Sequence, residues 1–110
     1  MTLTQLCSSL ELVHICGTLE KEFCGVYCGD FLSRAMGKAN KDNLWVTIMN
    51  NPNCIAVASL ADVSAIVLAE GVRLSDDALD AAMENDITVL STELPAYELC
   101  LAIGKITENA

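Results

Sequence analysis

Apolar positions first recur at helical spacing in Leu3, Leu6 and Leu10, with Cys7 beside them, so residues 3–12 read as a short amphipathic helix. Thr2 or Thr4 supplies an N-cap. Val13-His14-Ile15-Cys16 reads as a strand, closed by Gly17. A second extended piece, Glu22 to Cys28, leads into Gly29-Asp30, after which Phe31 to Met36 returns to helical spacing with Asp30 placed as its cap.

From residue 43 the pattern becomes regular, and an apolar strand, a turn and a helix follow one another in the same order. Leu44 to Met49 is strand, Asn50-Asn51-Pro52-Asn53 is turn, and Cys54 to Asp62 is a helix that is apolar or small nearly all round. Ala65 to Ala69 is strand, Glu70-Gly71 opens the turn, and Ser75 caps a helix whose Asp76 and Asp77 favour its positive end. Ile87 to Leu90 is a further strand. Pro95 stands in the first turn of a last helix, carried by Leu99, Cys100, Ile103 and Ile106.

Strands that are apolar on both faces and separated by helical segments of this length define an α/β fold. The expectation is a mostly parallel sheet of about four to five strands, flanked by helices. A chain of 110 residues has room for one such core, so residues 1–110 form a single domain. An apolar fraction of 53% against 19% charged places it far from disordered composition.

Charge narrows the partners. Fifteen acidic residues against six basic ones give a net charge of −9, and the basic residues are scattered rather than clustered. Nucleic acid and anionic membrane surfaces, both bound through grouped Lys and Arg, are excluded as partners. The apolar runs are broken by Ser59, Asp62 and Ser64 and stay short of the roughly 20 residues that span a bilayer. With no basic, apolar leader at the N-terminus, the expected location is the cytoplasm, where the six cysteines stay reduced.

The stretches Asn-Leu-Trp-Val-Thr-Ile (43–48), Asn-Pro-Asn-Cys-Ile-Ala-Val-Ala-Ser-Leu-Ala-Asp (51–62), Ala-Ile-Val-Leu-Ala-Glu-Gly (65–71) and Ile-Thr-Val-Leu-Ser-Thr (87–92) together resemble the DRTGG domain. Upstream, Cys24 to Ser33 falls where that family carries its glycine-bearing signature and an aspartate before a helix. Here Lys21 to Gly25 holds one glycine and no Asp-Arg-Thr, while Tyr27 and Asp30 fit the pattern better. The resemblance implies an accessory module, of the kind found between CBS domains in certain pyrophosphatases and beside the catalytic part of phosphotransacetylases. It is also similar to the N-terminal region of HPr kinase. It implies no catalytic residue, and a regulatory or dimerising role.

The residues themselves offer little catalytic chemistry. His14 is the sole histidine and lies in an apolar strand-like run, and no glycine-rich phosphate loop occurs. Cys24 and Cys28 are four apart, with Cys16 eight before, but on a strand their side chains would stand about 13 Å apart, too far for one ion. No metal and no cofactor is expected. The turns carry more information, because Asn50 and Asn51, Glu70 and Gly71, and Thr92 each follow the carboxyl end of an expected parallel strand, where open sheets bind ligands.

The leading expectation is therefore a non-catalytic regulatory or dimerisation module. The alternative is a sensor of a small anionic ligand, a nucleotide or other phosphate compound, held by Asp30, Asn50, Asn51, Glu70, Gly71 and Thr92. A thiol-based metal or redox protein is the third reading. The all-round apolar helix 54–61 needs cover on its outer side, which points to a homodimer unless the N-terminal helix folds over it.

Overall fold

The computed structural model describes residues 1–108. In chain order the elements are α1 (Leu3–Leu10), β1 (Val13–Cys16), β2 (Val26–Cys28), α2 (Leu32–Lys38), β3 (Leu44–Thr47), α3 (Pro52–Ala61), β4 (Ala65–Leu68), α4 (Asp76–Glu84), β5 (Val89–Ser91) and α5 (Ala96–Glu108). The strands form one sheet in the order β1-β5-β4-β3-β2. Pairing is parallel from β2 through to β5, and β1 joins the β5 edge antiparallel. The sheet is thus mixed, with a single reversed strand.

Local sequence explains where the helices start. Thr2 and Gln5 form a capping box at α1, each side chain accepting from the other's backbone amide. Asn51 caps α3 with Pro52 next to it, and Ser75 caps α4 ahead of Asp76 and Asp77. Glu11 and Asp62, both left-handed, end α1 and α3. The Pro95 carbonyl accepts the amide of Leu99 at 2.9 Å and so opens α5, where the ring's missing N–H costs nothing.

Every residue of β3 and β4 is buried, because both faces of the sheet are covered. Trp45, Ile66, Leu68 and Val89 point to one core, which they share with Ala35 of α2, Cys54 and Ile55 of α3, and Ala78 and Ala82 of α4. Leu44, Val46, Val67 and Leu90 point to the other, with Leu3 and Leu6 of α1 and Leu99 and Ile103 of α5. The three crossover helices therefore lie on one face and the two terminal helices on the other.

This layering resolves the question of α3. It touches α2 on one flank and α4 on the other as well as the sheet beneath, so three of its sides are buried and need to be apolar. α1 does not cover it, since α1 packs beside α5 on the opposite face.

Four expected strands come out shorter, β3 ending at Thr47 rather than Met49 and β4 at Leu68 rather than Ala69. The extended piece 22–28 contributes only Val26–Cys28 to the ladder, because the amides of Phe23 and Cys24 bond the carbonyls of Met1 and Asp42 instead. The last strand starts at Val89 because the Ile87 amide is still held by Ala82 at the end of α4.

Candidate functional site

A groove of about 610 Å³ opens at the carboxyl ends of β4 and β5, between α4 and β1. Register builds its floor: Val13 pairs with Ser91 and Ser91 with Leu68, so three adjacent strands present these side chains on the same face. The helical layer stops at α4, and β1 extends the sheet beyond it. Val13 is consequently 56% exposed and Ile15, at the bulge between His14 and Cys16, 38%. The walls come from Val72, Arg73 and Leu74 of the loop before α4, from Asp76 and Leu79 on that helix, and from Thr92 and Glu93 after β5.

The two loops at its mouth are tied together. The Glu70 amide donates to the Leu94 carbonyl and the Gly71 amide to the Thr92 carbonyl, both at 2.9 Å. Gly71 has φ +70, and a Cβ there would run into the Glu93 carboxylate, so that carboxylate lies directly over the glycine. Behind the groove, Asn50 Nδ2 donates to the Arg73 carbonyl at 2.8 Å and the Asn50 carbonyl accepts from the Ser75 amide. Arg73 is held at its backbone, leaving the guanidinium as the one cation in a lining that also bears Asp76 and Glu93.

The residues expected from sequence divide. Gly71 and Thr92 line the groove, and Glu70 braces its rim through its backbone. Asn50 braces it from behind. Asn51 is used as the α3 cap. Asp30 lies away from the groove on the β2 and β3 side, and it does not cap α2: its Oδ1 accepts from Thr47 Oγ1 at 2.8 Å and from the Ile48 amide at 2.9 Å. The residue before α2 is Phe31, which makes no side-chain cap. Sequence reasoning missed Arg73, Asp76 and Leu79 on the α4 side as well as Val13 and Ile15 of β1, for nothing local in Val13-His14-Ile15-Cys16 says that it pairs beside Ser91.

His14 sits exposed on β1 with Nε2 donating to the Gly17 carbonyl at 2.6 Å. Among the described residues no three His, Cys, Asp or Glu side chains converge as a metal set would. All six cysteines are free thiols. Burial pushes the thiols of Cys7 and Cys16 up in pKa and that of Cys54 up to about 11. Cys100 is also pushed up to about 11, first by burial and then by the Cys28 thiol beside it. No described helix is long and apolar enough to cross a membrane.

Fold and groove together define an α/β domain with an amphipathic cleft at the carboxyl ends of its parallel strands. No family profile and no curated protein matches the chain. Among solved structures it is similar to the CBS and DRTGG domains of the regulatory region of Clostridium perfringens pyrophosphatase, complexed with the activator diadenosine tetraphosphate. The TM-score is 0.73 at 15% identity, over 93% of this chain and 45% of that one. The fold is therefore shared with a regulatory region, and this chain spans under half of that structure's length.

Proposed function

We propose that this chain is a non-catalytic regulatory module of the DRTGG type, acting in the cytoplasm, that responds to a small ligand held in the groove beside α4. The observation that carries the reading is the groove itself: about 610 Å³, at strand ends, with an apolar floor and few polar groups. Its chemistry favours a nucleotide. A flat ring packs on Val13, Val72 and Leu79, hydroxyl groups meet Ser91 and Thr92, and phosphate oxygen meets Arg73 while Asp76 and Glu93 cap the charge the site tolerates. The pyrophosphatase regulatory region, similar in fold, is described with a dinucleotide activator, which supports the same ligand class here.

A thermal-shift screen of adenosine nucleotides and diadenosine polyphosphates tests the reading. A ligand at 100 times its dissociation constant adds about 2.7 kcal/mol of stability, a shift of several degrees for a domain this size. Arg73→Ala should weaken a phosphate-bearing ligand at least tenfold. NMR shifts that map to the amino ends of β3, β4 and β5 would overturn the assignment.

The three-helix face supports a second reading, a homodimer. Met36 of α2, Leu60 of α3 and Met83 of α4 are 53%, 73% and 62% exposed, each in the last turns of its helix. Because the three helices each connect one parallel strand to the next, these ends lie at the same end of the layer. They form an apolar row that a second copy would cover.

A further inference from the structure

Cys28 and Cys100 lie far apart in sequence, yet the fold brings them together. Cys28 pairs with Val46 across the parallel β2–β3 ladder, which turns both side chains to the same face of the sheet. Val46 belongs to the core under α1 and α5, and Cys100 packs against that core from α5. Cα atoms of α5 and β2 come within 8 Å of one another, and the thiol of Cys100 faces that of Cys28. β2 is an edge strand, and its Cys28 is exposed while Cys100 is half-buried.

We propose that Cys28 and Cys100 are a peroxide-responsive pair that closes a reversible intramolecular disulfide, stapling α5 to the edge strand β2. Cys28 is the thiol a peroxide reaches. Its thiolate attacks one peroxide oxygen, the O–O bond breaks, and the departing hydroxide takes a proton to leave as water, with Cys28 now a sulfenic acid. The Cys100 thiolate then attacks that sulfur, the S–S bond forms and the S–O bond breaks. The hydroxyl leaves as a second water, taking up the one proton released by the Cys100 thiol. Two thiols lose two electrons and two protons to one peroxide, and a thiol reductant reverses the step.

The reduced state keeps the Cys100 thiol protonated, because it is buried and stands beside Cys28. Cys24, exposed but outside β2, has no such partner across the sheet among the described residues.

The test treats the reduced full chain with hydrogen peroxide, blocks the remaining thiols with N-ethylmaleimide and maps the peptides. The expected result is a Cys28–Cys100 linked peptide, with four of the six cysteines alkylated and the linkage lost on reduction. Cys100→Ser, checked for fold by circular dichroism, should instead accumulate a Cys28 sulfenic acid that dimedone traps. The wild-type map alone can overturn the proposal: Cys28 linked to Cys24 or to a second chain, or driven to sulfinic acid while Cys100 is alkylated, rules it out.

Discussion

Six thiols in a short acidic chain are sorted by burial, and Cys54 shows what burial does to one of them. It sits at the start of α3 with no exposed surface, and its pKa rises from 9.0 to about 11. Below pH 9 both folded and unfolded chains hold the proton. Between pH 9 and 11 the unfolded chain releases it and the folded chain does not, so stability falls as pH rises through that window. The Cys54 share is about 2 kcal/mol. Urea denaturation at pH 8 and pH 10.5 should show a steeper loss for wild type than for Cys54→Ala. The buried Cys16 and the half-buried Cys7 and Cys100 add loss of the same sign to both. That Cys54 is a core residue was legible, since it opens an apolar helix. The work of Asp30 was not: an aspartate before a helix reads as a cap, but its acceptors are filled by Thr47 and Ile48, seventeen and eighteen residues on.

Among the elements, those apolar on both faces were legible and those placed by distant pairing were not. β3, β4, α3 and α4 stand where periodicity put them, because each carries enough apolar residues to signal its own burial. β1 was read as a strand, but its antiparallel seat on β5 depends on residues some seventy positions away, and with it the floor of the groove. Gly17 marks how tightly that seat is built. It has φ +86, and a Cβ there would enter the backbone of Thr88, whose hydroxyl already donates to the Thr18 carbonyl at 2.7 Å. Backbone cannot yield, so Gly17→Ala should cost 2 kcal/mol or more, on the order of strain plus overpacking. Gly71→Ala meets only the flexible end of Glu93 and should cost about 1 kcal/mol, for the left-handed φ. Thermal melts of the two variants should rank in that order, and equal losses would mean that β1 is loosely held.

On the scale of the whole molecule, the two faces of the sheet differ in what they leave uncovered. The row of Met36, Leu60 and Met83 makes a specific expectation for assembly. Sedimentation equilibrium at tens of micromolar protein should give about twice the chain mass of 11.8 kDa, and Leu60→Glu should return it to the monomer. A wild-type mass near 11.8 kDa would remove the homodimer. The opposite face has a different consequence. α1 and α5 pack side by side there, and Met1 and Thr107 line the same cavity of about 220 Å³. The first and last described turns of the chain thus meet at one spot on the surface. A unit closed in this way behaves like a bead with both holes on the same side. It can be threaded into a surface loop of another protein without prising that loop apart, and its own ends can be joined and reopened elsewhere with the core intact.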